Sequence, residues 1–184
     1  RNLDDILIGR FVGASAVGAY GRAFQLMTLP ATQLNQPLTS AIVPALSRLQ
    51  GDPDGYRSLY RSCVEVIASL AFPLAVFTGV AAPAMVLTIL GPDWGESIDL
   101  LRALSPAGLM VSLNVATGWV YLSLGRTDRQ LRWRILGSSA AVIGMIAGLS
   151  WGGAIGLAIG LSTARVVMRV PAVLYCFHGT PLVI

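Results

Sequence analysis

Two arginines near the end of the chain, Arg165 and Arg169, have the residue type and the spacing best suited to binding a ligand. They are four residues apart, so in a helix they share one face. Two guanidinium groups together bind a doubly charged phosphate group well. The apolar segment 154–177 places Arg165 near the middle of a membrane, where an arginine is costly and usually functional. The alternative is that both side chains extend to the membrane surface.

The segment 20–47 is unusually polar for a chain with such long apolar runs. Neutral hydrogen-bonding groups are costly in hydrocarbon unless they are paired, so we expect this helix to face a water-filled cavity or a neighbouring helix. Pro30, Pro37 and Pro44 recur every seven residues and predict either a moving bend or a fixed kink. The polar side chains are Gln25, Thr28, Thr32, Gln33, Asn35, Gln36, Thr39 and Ser40.

Asp5 is the acidic candidate. It lies roughly 10 Å below the outer end of the first helix, from seven residues at 1.5 Å each. It is expected either to pair with an arginine across a cavity, to take part in ion coupling, or to form a structural pair with Arg10. No histidine accompanies a nucleophile, no glycine loop precedes a lysine, and no metal-ligand cluster occurs in the sequence. We therefore expect no catalytic residues, no metal, no cofactor and no enzymatic activity.

The composition indicates a membrane protein. Hydrophobic residues make up 54% of the 184 residues, whereas charged residues make up only 12%, about half of the usual share in soluble domains. A bilayer accommodates such a chain because surfaces that face lipid are apolar. The net charge is +4, and the lysine and arginine positions are all arginine. These arginines cluster between apolar runs, which is typical of membrane loops and argues against a nucleic-acid-binding domain.

Apolar runs of about 20 residues, the length needed to cross a bilayer, predict the helices. The fold class expected is all-α, a polytopic transmembrane bundle with five full spans and one partial span in a single membrane domain, residues 1–184. Trp151-Gly152-Gly153 interrupts the last long run and predicts a helical hairpin there. The predicted spans are 1–12 (partial), 20–47, 64–90, 100–124, 133–150 and 154–177.

Arginine placement predicts the orientation. Seven arginines follow the first and third full spans, in loops 48–61 and 126–134, whereas three lie in the loops at the other end. The positive-inside rule then places the arginine-rich loops in the cytoplasm. Two local signals support the predicted helix starts: Asp52-Pro53 is typical of a capped first turn, and Asp93 with Glu96 has the spacing of a capping box.

Several short motifs, taken in order, resemble the polysaccharide transporter branch of the multidrug/oligosaccharidyl-lipid/polysaccharide exporter superfamily, the flippases for O-antigen and exopolysaccharide. The resemblance covers residues 2–135 well and the last hairpin only loosely. The motifs are Asn2-Leu3-Asp4-Asp5-Ile6-Leu7-Ile8-Gly9-Arg10, Gly18-Ala19-Tyr20-Gly21-Arg22-Ala23, Val43-Pro44-Ala45-Leu46-Ser47-Arg48-Leu49, Leu90-Gly91-Pro92-Asp93-Trp94 and Leu124-Gly125-Arg126-Thr127-Asp128.

The resemblance implies a two-lobed transporter of 12–14 helices in the bacterial plasma (inner) membrane, of which this chain is the second six-helix lobe. Such proteins move lipid-linked oligosaccharides from the cytoplasmic to the outer leaflet by alternating access. The partners implied are the lipid-linked pyrophosphate oligosaccharide, the bilayer and the first lobe. The candidate substrate-binding residues are then Arg165 and Arg169 for the pyrophosphate, with Gln25, Gln33, Asn35, Gln36 and Asp5 beside the glycan.

Two other functions remain open. A cation-coupled multidrug exporter of the same superfamily would have an acidic, aromatic-lined cavity. A non-catalytic membrane subunit of polysaccharide assembly, or a membrane-embedded enzyme of polysaccharide synthesis, belongs to a different class. The two arginines favour an anionic substrate over a cationic one.

Overall fold

The computed structural model describes residues 2–178 and residue 180, without the side chains of residues 2, 3 and 34. It is all-α, as predicted, and the described residues contain no strand. A short 3₁₀ helix, Pro92–Trp94, precedes α5. The α-helices are α1 (Asn2–Phe11), α2 (Ala14–Arg48), α3 (Pro53–Val80), α4 (Ala82–Ile89), α5 (Glu96–Ser123), α6 (Thr127–Val167) and α7 (Arg169–Phe177).

The start of α3 confirms one of the two predicted caps. Asp52 accepts a hydrogen bond from the Gly55 N–H at 3.1 Å, and Pro53 occupies the first turn, where its missing N–H costs nothing. The predicted capping box at Asp93 and Glu96 is wrong. There α5 begins after Gly95 without a side-chain cap, because Asp93 belongs to the preceding 3₁₀ helix.

Two of the predicted spans are broken near prolines. The span 64–90 is divided at Ala81 between α3 and α4, two residues before Pro83. The span 154–177 is divided at Met168 between α6 and α7, three residues before Pro171. Each proline lacks the N–H that would continue the helix, and its ring crowds the carbonyl four residues earlier.

The predicted hairpin is confirmed inside α6. Gly152 and Gly153 leave the helical conformation, and Gly153 has a φ of 54°, which glycine adopts without strain. The first arm (residues 127–151) and the second arm (residues 154–167) then run side by side. A Cβ added at Gly144 would lie 2.7 Å from the carbonyl oxygen of Gly160, so the arms touch through their backbones.

Three helical segments are long and apolar enough to cross a membrane: Pro53–Val80, Glu96–Ser123 and Thr127–Phe177. The last covers α6 and α7 and includes the hairpin. Helix α2, with 35 residues, is about 52 Å long, but its polar side chains keep it out of this set. The chain is therefore a helical membrane protein.

Helix α5 lies at the centre of the bundle and packs against α2, α3, α6 and α7. Trp119 of α5 is fully buried, and its Nε1–H donates to Oγ1 of Thr39 on α2 at 2.9 Å. Two apolar clusters fill the bundle, one around Tyr20, Leu101 and Leu157 and the other around Leu46, Tyr56 and Trp119.

Interhelical contacts bring the predicted arginine-rich loops to one end of the bundle. The Tyr56 hydroxyl lies 2.7 Å from that of Ser123, and Arg129 donates to the His178 carbonyl at 2.6 Å. We call this the arginine-rich end; it carries Arg48, Arg57, Arg61, Arg126, Arg129, Arg132 and Arg134. At the opposite end, Ser97 of α5 donates to the Ala19 carbonyl of α2 at 3.0 Å.

Candidate functional site

Five polar side chains of α2 form one exposed face, which we call the polar face. Counted at 3.6 residues per turn, they fall within about 100° of arc. Its three glutamine amides make no hydrogen bond within the described part of the chain, and they point away from the bundle. The members are Gln25, Thr32, Gln33, Gln36 and Ser40.

The other polar residues of α2 are buried in the bundle or hydrogen-bonded to their own helix. Asn35, which we grouped with the glutamines, is only 7% exposed and faces the bundle. The hydroxyls of Thr28 and Thr39 each donate to a carbonyl one turn earlier, at 2.8 Å. The structure thus brings Gln25, Gln33 and Gln36 together and separates Asn35 from them.

Arg165 lies inside the bundle beside α1 and α2. Its guanidinium carbon is 5.9 Å from the centre of the Phe24 ring, and it interacts electrostatically with Tyr20 and Asp4. Its Nη1 is buried and makes no hydrogen bond to any described residue. A buried guanidinium with N–H capacity left over can take up an oxygen of an anionic ligand.

Asp4 and Tyr20 complete this cluster, although the sequence pattern assigned neither of them a role. The Tyr20 hydroxyl donates to Oδ2 of Asp4 at 3.1 Å, and both residues are buried. One signal could have identified Asp4: it precedes the core residue Ile8 by four positions and so shares its buried helix face. Asp5, the acid singled out from the sequence, is half-buried and outside this hydrogen bond.

Arg169 lies on the other side of the helix break. It begins α7, and its Nη1–H donates to Oδ1 of Asn114 on α5 at 2.9 Å. Arg165 lines a cavity of about 480 Å³ between α5 and the arms of α6, whereas Arg169 lines a separate groove between α3 and α7. The two arginines thus contribute to different cavities, because the break at Met168 separates their helices.

No group of three or more His, Cys, Asp or Glu residues in the described part of the chain is arranged to hold a metal ion. The candidate residues described above carry guanidinium, amide, hydroxyl and carboxylate groups, all of which can hydrogen-bond a polar ligand.

The sequence matches a family described as polysaccharide biosynthesis protein over residues 1–99. It is 30% identical over 132 residues to the teichuronic acid biosynthesis protein TuaB of Bacillus subtilis, covering 72% of this chain and 27% of TuaB. It is 24% identical over 166 residues to the lipopolysaccharide biosynthesis protein WzxC of Escherichia coli, covering 90% of this chain and 34% of WzxC.

A third relative is the amylovoran biosynthesis protein AmsL of Erwinia amylovora, 22% identical over 167 residues, which cover 91% of this chain and 43% of AmsL. The chain thus spans between about a quarter and less than half of the length of these relatives. No solved structure matches it.

Proposed function

The chain belongs to the polysaccharide biosynthesis protein family, and on that premise we propose that it is the second lobe of a flippase for lipid-linked oligosaccharides. The whole protein would move the lipid-linked glycan from the cytoplasmic to the outer leaflet by alternating access between two lobes. The protein would act as a transporter rather than an enzyme, without a cofactor. The observation that carries this proposal is the polar face of α2.

The polar face is incompatible with lipid. Three unpaired amides exposed to hydrocarbon would each cost several kcal/mol, at roughly 4–8 kcal/mol per group for transfer into a medium without hydrogen bonds. The face therefore requires water, a polar ligand or another protein surface in front of it. A water-filled cavity between this lobe and a first lobe meets that requirement.

Amide side chains also suit a glycan. Each glutamine offers two N–H donors and a carbonyl acceptor, which can hydrogen-bond neutral sugar hydroxyls in many arrangements. The names of the relatives refer to three different polymers, teichuronic acid, lipopolysaccharide and amylovoran. A surface of neutral donors and acceptors fits a family in which the glycan varies.

The membrane topology follows from the same proposal. The five full spans are α2, α3 with α4, α5, the first arm of α6, and the second arm with α7; α1 contributes the partial span. The arginine-rich end lies in the cytoplasm, in agreement with the positive-inside rule, and the membrane is the bacterial plasma membrane.

Arg165 is the proposed ligand for the lipid pyrophosphate. Its unpaired Nη1 and its position inside the bundle support this role, whereas Arg169 lies in a different groove. We predict that Arg165→Gln lowers transport at least tenfold, because a charge-assisted hydrogen bond contributes about 1.5–3 kcal/mol. Arg165→Lys should retain part of the activity. Transport of the glutamine variant at the wild-type rate, with unchanged thermal stability, would remove the assignment.

A second candidate function has one observation in its favour. Asp4 is a buried acid hydrogen-bonded to Tyr20, whose ring lies 5.9 Å from that of Phe24, and a cation-coupled drug exporter would use an acid beside aromatic rings. Proteoliposomes that contain the full-length protein can test both functions. Export of a cationic dye without movement of lipid-linked sugar would favour the exporter.

The test uses the full-length protein in proteoliposomes with a fluorescent lipid-linked oligosaccharide. Replacing Gln25, Gln33 and Gln36 together by leucine should abolish its movement between leaflets, because the hydrogen-bonding groups are lost. The matched control replaces the same three residues by asparagine, which keeps the amides and should retain transport. Equal rates for both variants would contradict the proposal, and a new glycosidic bond formed by the protein would identify an enzyme instead.

A further inference from the structure

A groove of about 710 Å³ separates the first half of α3 from α7. The rings of Tyr60 and Phe177 meet edge to face, with centroids 5.8 Å apart, where the two helices approach each other. Arg57 and Arg61 line the groove, so it lies at the arginine-rich end of the bundle. Neither the family relationship nor the proposed transport assigns a role to it.

Three guanidinium groups line the groove, those of Arg57, Arg61 and Arg169. Arg57 forms an ion pair with Asp54 at 3.4 Å. Arg61 has no carboxylate within 4 Å among the described residues. Glu65 is the second acid of the lining, so three positive and two negative charges leave the groove with one net positive charge.

Arg169 is held in place by a hydrogen bond to α5. Its Nη1–H donates to Oδ1 of Asn114 at 2.9 Å; Asn114 belongs to the neighbouring cavity, whereas the Arg169 side chain also lines the groove. Only one of its five N–H donors is used in this bond, so the others remain for a ligand. A guanidinium held in place loses less conformational entropy when it binds an anion.

Exposed apolar side chains continue from the groove along both helices. On α3 these are Phe72, 61% exposed, and Val76, which follow Glu65 by two and three helical turns. On α7 they are Val170, 66% exposed, and Leu174, next to the groove residues Arg169 and Val173. Such a surface in a membrane protein contacts acyl chains.

We propose that this arginine groove binds an anionic phospholipid of the cytoplasmic leaflet, with the phosphate between Arg61 and Arg169 and the acyl chains along Phe72 and Val170. The single net positive charge of the lining matches the single negative charge of a phosphodiester such as phosphatidylglycerol. A diphosphate carries at least two charges and matches it less well. The lipid would tie α7 to α3 across a groove that the protein itself leaves open.

The test measures lipid binding to the detergent-purified full-length protein by native mass spectrometry. Phosphatidylglycerol is titrated in parallel with phosphatidylcholine, which has the same phosphodiester but no net charge. We expect phosphatidylglycerol to bind at least tenfold more tightly, and Arg61→Gln with Arg169→Gln to remove that preference. The matched control is Arg132→Gln, which removes an exposed arginine of the same end outside the groove and should change nothing.

Arg61→Lys with Arg169→Lys keeps the charge and should keep most of the preference for phosphatidylglycerol, which separates lost charge from a folding defect. Equal binding of the two phospholipids by the wild type would overturn the proposal, as would an unchanged preference in the glutamine pair. Tighter binding of a polyprenyl diphosphate that the glutamine pair abolishes would also overturn it, because the groove would then be a substrate site. The assay involves no transport, so its result is independent of the flippase proposal.

Discussion

At the scale of single residues, the contact between Tyr20 and Asp4 joins α1 to α2 inside the bundle. The hydroxyl–carboxylate distance is 3.1 Å, and both side chains are more than nine-tenths buried. A carboxylate in such surroundings depends on its hydrogen-bond donors, because burial removes it from bulk solvent. Arg165 is near enough to interact electrostatically with both side chains.

We therefore predict that Tyr20→Phe lowers the free energy of unfolding by about 1–3 kcal/mol, since the ring is kept and only the donor to the buried carboxylate is lost. Thermal unfolding of the full-length protein in detergent measures the effect. Tyr175→Phe is the control, because its ring stacks on Trp133 at 5.6 Å and its hydroxyl makes no hydrogen bond among the described residues. Equal melting temperatures for the two variants would contradict the prediction.

Residue types and spacing singled out Arg165, either inside the membrane or extended to its surface, but did not reveal its neighbours. Asp4, Tyr20 and Phe24 lie more than 140 positions away in the chain and meet it only after α1, α2 and α6 pack. Their proximity is a product of tertiary structure. The four-residue spacing from Ile8 could indicate that Asp4 lies on the buried face of α1. It could not indicate which charged side chain of another helix lies beside Asp4.

At the scale of elements, the α6 hairpin depends on glycines that let its arms touch. A Cβ at Gly148 would overlap the carbonyl oxygen of Gly156, and one at Gly160 would overlap that of Gly144. Gly144 and Gly148 are four residues apart, as are Gly156 and Gly160, so each arm presents its two glycines on one face and the backbones can approach closely.

Gly148→Ala should destabilise the protein by about 1–3 kcal/mol, because the added methyl group forces two backbones apart. The control is Gly137→Ala on the same arm, where a Cβ has nothing within 4 Å. Alanine favours helices over glycine by about 1 kcal/mol, so that variant should be neutral or slightly more stable. Reversible unfolding in detergent measures both, and a Gly148 variant as stable as the control would show that the arms do not depend on this contact.

The breaks between α3 and α4 and between α6 and α7 are features that hydropathy alone does not predict. The predicted spans 64–90 and 154–177 run through Ala81 and Met168 as continuous helices. Pro83 and Pro171 remove the N–H groups that would close the turns there. Prolines at 30, 37 and 44 do not break α2, which remains one helix from Ala14 to Arg48. Tertiary packing therefore decides which proline ends a helix.

At the scale of the whole molecule, the two ends of the bundle differ in charge. Seven arginines gather at the arginine-rich end, while Arg22 and Arg102 at the opposite end are accompanied by acids and by Trp94. Arg102 pairs with Asp99 at 3.2 Å, and Arg22 lies 5.4 Å from the centre of the Trp94 ring. The uncompensated positive charge should stay on the cytoplasmic side.

Single cysteines in a cysteine-free background of the full-length protein test this orientation. Gly51→Cys lies in the loop after α2, where a Cβ has open space, and should react with a membrane-impermeant maleimide only in inside-out vesicles. Asp93→Cys, at the opposite end, should react in intact cells. The reverse pattern of labelling would invert the topology and would move the arginine groove to the outer leaflet.

The sequence alone determined that this protein is an all-helical membrane bundle of the polysaccharide family, with a hairpin at Trp151-Gly152-Gly153. Those properties depend on local hydropathy, on glycine conformation and on ordered short motifs, all of which can be read along the chain. Only the tertiary structure decided that Asn35 is buried while Gln25, Gln33 and Gln36 are exposed, and that Arg165 and Arg169 line different cavities. These outcomes depend on which faces of separate helices pack together, and residues distant in the chain determine that packing.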